Sequence, residues 1–149
     1  MPSKQIRSRW SSQFEELSNQ SKFHEKVRHI LCTDQFLSGL QCYQEVPVKD
    51  LCEGYSSTHW FDWYIDELDT VIELHGQQHY KVVNRGNVSY EQAQSDFANG
   101  QKRDSAKKAA AIRNGYKYVE ISYKHYKKLD ATSFKEMIFK EQKLSLIHI

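Results

Sequence analysis

The stretch FDWYIDELDTVIELHGQQHY, residues 61–80, gathers acids and imidazoles that its apolar pattern does not require. Asp62 interrupts the aromatic run of Trp60, Phe61, Trp63 and Tyr64, where strand propensity gives no reason for an aspartate. Glu73 closes the run Val71-Ile72, and His75, Gly76 and His79 follow it. Carboxylates and histidines brought together at strand ends are the donor set of a hydrolytic site built on a divalent cation. Asp62 and Glu73 on adjacent strands could face one Mg²⁺ ion. Without a cation they would repel, and one would tend to stay protonated. His75 follows Glu73 by two, so on a strand both point to one face. A neutral imidazole there either deprotonates a water or binds the metal, and both roles stay open.

These residues need a sheet to hold them. Residues 61–80 read as two short strands joined by the acidic turn Asp66-Glu67-Leu68-Asp69. Ahead of them LQCYQEVPV, residues 40–48, alternates as a strand, and Pro47 puts its end at an edge or exit. Residues 49–58 read as a polar loop. Ser21 is an N-cap signal for a helix whose stripe is Phe23, Val27, Ile30 and Leu31, with Glu25 off that stripe and Gly39 as a stop. Residues 11–17 predict a short helix start. After the hairpin, 81–88 reads as a loop or disordered flap, and 89–114 as a helix interrupted near Asn99-Gly100. Its second half, KRDSAKKAAAIRNG, is Ala-rich and basic, and Asn114-Gly115 stops it. YKYVEIS, 116–122, reads as a strand and 123–143 as helix. The order α-β-β-β-α-β-α predicts an α/β (α+β) domain, a mixed sheet of about four strands flanked by helices.

The chain has 149 residues, enough for one domain with a real core. The expected organisation is an extension over 1–20, a single domain over 21–143, and a tail, LSLIHI, over 144–149. That tail is apolar after the polar EQK, and the same string arises from translating a common transposon-end sequencing adapter, so it is expected to be non-native. No apolar run approaches the ~20 residues of a membrane span, and no apolar region follows the basic start MPSKQIRSRW. The expected compartment is the cytoplasm. Cys32, Cys42 and Cys52 are odd in number and too widely spaced for paired zinc ligands, which predicts free buried thiols. The net charge of +2 hides a segregation. Residues 45–73 carry Glu45, Asp50, Glu53, Asp62, Asp66, Glu67, Asp69 and Glu73 against Lys49 alone, while 102–128 are strongly basic. An acidic centre beside a basic helix suits a protein that grips a polyanion and sets metal ions against it.

A strand bearing Asp62, a hairpin, Glu73-x-x-Gly76-x-x-His79, and later Arg103-Asp104 ahead of Gly115-Tyr116 and a strand resemble the PD-(D/E)XK nuclease superfamily. Within it the pattern is most similar to the very-short-patch-repair endonuclease branch and its phage-encoded and homing relatives, over about residues 22–123. The resemblance implies a restriction-endonuclease-like core and Mg²⁺- or Mn²⁺-dependent hydrolysis of DNA phosphodiesters. It implies that Asp62 and Glu73 hold the metal, that Glu25 joins them, and that Asp104 orients a histidine. His75 stands where many members carry lysine and is the first candidate for general base, with His79 as a second active-site histidine. Lys102, Arg103, Lys107, Lys108 and Arg113 would give salt-dependent affinity for the DNA backbone.

Phe61 departs from the proline that often precedes the aspartate, and no lysine completes the acidic-x-lysine triplet. No ligand set stands for the structural zinc of the repair enzymes, which argues against true mismatch repair. Gln77 and Gln78 are open between substrate contact and sheet end. The alternative reading is a nucleic-acid-binding module that keeps the fold with weak or no catalysis. With no evident specificity domain, a homodimer or a partner protein is expected.

Overall fold

The structure, a computed structural model, describes residues 2–83, 86 and 88–147, with side chains through residue 140. Its elements in order are α1 (Lys4–Arg7), β1 (Ser11–Ser12), α2 (Lys22–Thr33), β2 (Cys42–Pro47), α3 (Val48–Leu51), β3 (Trp60–Ile65), β4 (Thr70–His75), α4 (Tyr90–Arg113), β5 (Lys117–Ser122) and α5 (Ala131–Ile147). The sheet runs β1-β2-β3-β4-β5, antiparallel as far as β4 and parallel between β4 and β5. A parallel pair needs a crossover, and α4 supplies it.

Two cores sit on the two faces of this sheet. Alternation along β4 sends Ile72 to one face and Val71 to the other. On the first face, Trp63, Ile65, Ile72, Val119 and Ile121 pack with α2 (Val27, Leu31) and α5 (Phe134, Ile138). On the second, Phe61, Tyr64, Val71 and Tyr116 pack with Ala110 and Ala111 of α4 and with Trp10. The basic helix therefore lies against the face that carries Glu73 and His75.

The sheet has five strands where the sequence predicts about four. β1 is only two residues long and has no periodicity to read. It replaces the helix expected over 11–17, and the amino-terminal residues pack onto the sheet: Gln13 Nε2 reaches the Leu40 carbonyl at 3.0 Å, and Trp10 Nε1 donates to Asp50 at 3.0 Å. Arg7 pairs with Asp66 in the hairpin turn. Val48, expected to end the strand, and residues 49–51, expected as loop, form the single turn of α3.

α2 starts as expected, with Ser21 Oγ accepting from the His24 N–H, but it ends at Thr33, well before Gly39. Asp34 is the reason. Its Oδ2 accepts from the Phe36 and Leu37 N–H groups at 3.1 and 3.0 Å, offering the backbone an alternative to continued helix. Its Oδ1 meets Lys135 Nζ at 2.9 Å, tying α2 to α5. The Leu37 N–H first, and then Lys135, hold this carboxyl below its ordinary range. A depressed carboxyl contributes stability that is present above its unfolded-state value and lost as pH falls through the folded one. Asp34→Ala therefore lowers the melting temperature at pH 7, and the gap closes below about pH 4. A gap of constant size from pH 7 to pH 3 in thermal unfolding would contradict this.

α4 is one continuous helix across Asn99-Gly100, where an interruption was expected. An isolated glycine costs a helix only about 1 kcal/mol, and no proline accompanies this one. The helix ends as its sequence requires, with Asn114 Nδ2 donating to the Ala110 carbonyl at 2.8 Å and Gly115 at φ +86°. After β5, residues expected to be helical from 123 onward form a 3₁₀ turn over Tyr123–Lys128 before α5 begins at Ala131. Asp130 marks the new start, its Oδ1 accepting from the Ser133 N–H at 2.8 Å.

In the expected flap, Asn84, Arg85 and Asn87 lie outside the described residues, and its described residues form neither helix nor strand. In the expected non-native tail, residues 148 and 149 lie outside them too, and α5 runs through Ile147. Among the described residues no helix is long and apolar enough to cross a membrane. The three cysteines are free, and burial pushes Cys42 up to about 12 and Cys52 up to about 11.

Candidate active site

Asp62 reaches the site because two strands change their facing together. β2 and β3 keep register from Gln44↔Trp63 to Val46↔Phe61, yet Val46 and Phe61 turn to the second face. Parity alone would put Phe61 with Trp63. Glu45, opposite Asp62 in that register, sits at φ 51°, the left-handed region that re-aims a strand much as a bulge does. The pairing of β3 with β4 ends at Trp63↔Ile72, one step short of Asp62 and Glu73. Asp62 Oδ2 takes over as acceptor for the Leu74 N–H at 2.7 Å. The carboxylate thus replaces a ladder bond and is pinned beside Glu73.

Glu73 is 3% exposed. Burial, then the charge of Asp62, raises its carboxyl well above the ordinary carboxylate range, and Lys107 opposes that rise. Lys107 Nζ lies 2.6 Å from Glu73 Oε1, with both side chains almost fully buried. The ammonium is therefore the charged partner of this buried oxygen. A lysine thus reaches Glu73 from α4 and not from β4 itself. This corrects the expectation that Lys107 stands with Lys102, Arg103, Lys108 and Arg113 as a surface cation. Those four are exposed.

Asp104 and Lys107 are three apart in the middle of α4, so they face the same way, toward β4. Arg103-Asp104 lies well inside this helix. Asp104 Oδ2 is 2.7 Å from His79 Nδ1 and 4.0 Å from His75 Nε2. Burial pushes the Asp104 carboxyl up, but the His79 hydrogen bond and charge outweigh it and hold it below its ordinary range. The rings of His75 and His79 stack at 4.1 Å with planes 4° apart. His75 is buried, and burial and then His79 keep its imidazole below the usual histidine value. Glu120 Oε1 lies 3.3 Å from His75 Nδ1, while Tyr80 donates its hydroxyl to Glu120 Oε2 at 2.6 Å.

The structure thus brings together Asp62, Glu73, His75, His79 and Asp104. It does not bring Glu25 to them. Glu25 is on α2, against the opposite face of the sheet, and its carboxylate meets Arg28 at 3.3 Å. Gln78 lines a cleft of about 380 Å³ with His79, Lys81, Phe97 and Arg103, beside α4.

Glu120 and Tyr80 are participants that the sequence reading missed. Glu120 pairs with Glu73 in the parallel register, a pairing no local pattern announces. The role of Lys107 did leave a signal. Asp104, Lys107, Ala110 and Ala111 fall at helical spacing on one stripe, and a lysine on the alanine stripe is a buried lysine.

A scan against protein-family models matches none to this chain, and searches of curated proteins and of solved structures also find no match.

Proposed function

We propose that this protein is a metal-dependent endonuclease that hydrolyses DNA phosphodiesters, with a PD-(D/E)XK-type site. The observation that carries the reading is the meeting of Asp62, Glu73 and Lys107 beside the hydrogen-bonded pair His79–Asp104. The donor set fits Mg²⁺ or Mn²⁺, because two adjacent carboxylates, Asp62 and Glu73, supply the hard oxygens such ions take. Asp62 and Glu73 would hold the ion, which when bound supplies charge relief at the phosphoryl oxygens and activation of a water.

The chain's own groups do the rest. His79 takes the base role ahead of His75, since it is the more open of the two imidazoles and has Asp104 on Nδ1. Asp104 holds the Nδ1 proton and leaves Nε2 as the lone pair that accepts a proton from the attacking water. The water oxygen bonds to phosphorus, the bond to the leaving oxygen breaks, and that oxygen takes up a proton. Lys107 counters the rise that burial and Asp62 impose on the Glu73 carboxyl. Exposed Lys102, Arg103, Lys108 and Arg113 provide a sequence-independent hold on the phosphate backbone.

One observation favours the second reading, a DNA-binding module without efficient cleavage. The Lys107 ammonium already neutralises part of the acidic pair. Plasmid nicking in Mg²⁺ or Mn²⁺ separates the two. Asp62→Ala or Glu73→Ala should lower cleavage by about 10²–10³-fold, the worth of several kcal/mol of charge stabilisation. Cleavage that survives both substitutions removes the site. DNA binding with no cleavage in either metal selects the second reading.

A further inference from the structure

Beside the carboxylate pair lies a donor set of different chemistry. One ligand-type atom from each of His75, His79 and Asp104 lies within 4.8 Å of the others. His75 is 3% exposed, and its Nε2 has no hydrogen-bond partner. That nitrogen lies toward Asp104 Oδ2, 4.0 Å away. A buried polar atom without a partner calls for an explanation, and an absent ion is one of the few available. On the other side of the ring, Glu120 Oε1 stands 3.3 Å from Nδ1 and is itself fixed through Tyr80. A carboxylate at Nδ1 favours the ring proton there and leaves the Nε2 lone pair facing the cluster, the arrangement that orients metal-binding histidines. A cleft of about 370 Å³, lined also by Gln101 and Ser105, gives an ion and its waters a way in.

We propose that His75, His79 and Asp104 form a second cation site, which takes a borderline-soft divalent ion of the Zn²⁺ class. Two imidazoles and one carboxylate match that class, whereas Mg²⁺ keeps to oxygen ligands and its own waters. Tetrahedral Zn²⁺, with bonds of about 2.0–2.1 Å, separates its ligand atoms by roughly 3.3 Å. The present 4.8 Å spread closes by side-chain rotation, chiefly of His79, the more exposed ring. Water completes the coordination. Because an ion bound here claims His79, the Zn²⁺-loaded protein does not cleave DNA in Mg²⁺, a consequence that rests on the reading of His79 as the base.

The test uses the full chain, freed of metal and titrated with Co²⁺ as a spectroscopic stand-in for Zn²⁺. The expected result is a visible d–d band saturating at one equivalent, without thiolate-to-cobalt charge transfer, and abolished by added Zn²⁺. His79→Ala and His75→Gln should each weaken binding at least about tenfold, and Glu120→Gln by about 10–100-fold as a positioning change. Asp62→Ala should leave the band in place, which separates this site from the carboxylate pair. His75 is buried, so circular dichroism checks its variant, and the more exposed His79 gives the same answer if His75→Gln unfolds. No band at one equivalent overturns the site, as does a band that survives His79→Ala or is lost in Asp62→Ala. These spectra need no nuclease activity, so their failure is distinct from failure of the nicking assay.

Discussion

Lys107→Met should destabilise the protein by about 3–5 kcal/mol at neutral pH, because it strips the partner from a buried carboxylate. Glu73 is 3% exposed, and Lys107 Nζ is its contact at 2.6 Å. A surface lysine would cost within about 0.5 kcal/mol on removal, so the size of the loss decides between buried partner and solvated cation. At about 2–4 °C per kcal/mol for a chain of this size, melting falls by roughly 6–20 °C. Glu73→Gln is damaging for the mirror reason, since it leaves an ammonium buried without its anion. The double variant Glu73→Gln/Lys107→Met removes both charges and should recover part of the loss, with a coupling of about 1–3 kcal/mol in the cycle. Additive single losses, or a Lys107→Met protein as stable as the parent, would mean that the pair is not formed. Cleavage should fall in Lys107→Met as well, because Glu73 without its ammonium takes up a proton and offers a cation less.

The parts of this site that lie on one element were readable in the sequence, and the parts that depend on neighbouring elements were not. Asp62, Glu73 and His75 stand out because each breaks the apolar logic of its own strand. Ser21 and Ser89 are helix starts that a short window can carry, and both cap as their types suggest. The end of α2 was misplaced because Asp34 competes for backbone groups through a side-chain bond that periodicity does not register. The re-aiming of Val46 and Phe61 at Glu45 needs a positive φ that a glutamate gives no reason to expect. Glu120 enters only through the parallel register of β4 with β5. Glu25 illustrates the converse: a glutamate in the expected local context that the tertiary arrangement directs to Arg28. Lys107 was misread because a basic run on a helix was taken as one surface, when its spacing put one lysine on the alanine stripe.

Substituting His79 should give the largest loss of cleavage that leaves the fold intact. General-base transfer contributes about 10²–10⁴-fold, so His79→Ala should lower single-turnover nicking by that factor in saturating Mg²⁺. Its side chain is 17% exposed and lies outside both hydrophobic cores, so stability should change less than in a core variant. Asp104→Asn should cost less, about 10–100-fold, since the amide can still touch Nδ1 but no longer holds a charge against the imidazolium that forms. The double variant should be no slower than His79→Ala alone, because Asp104 acts through that ring and residues working as a unit are not additive. A merely structural Asp104 would instead lower stability and leave single-turnover nicking by the folded variant at the parent rate. Nicking by Asp104→Asn equal to the parent, or nicking by His79→Ala within tenfold of the parent, would return the base role to His75, whose buried Nε2 would then need a route to water.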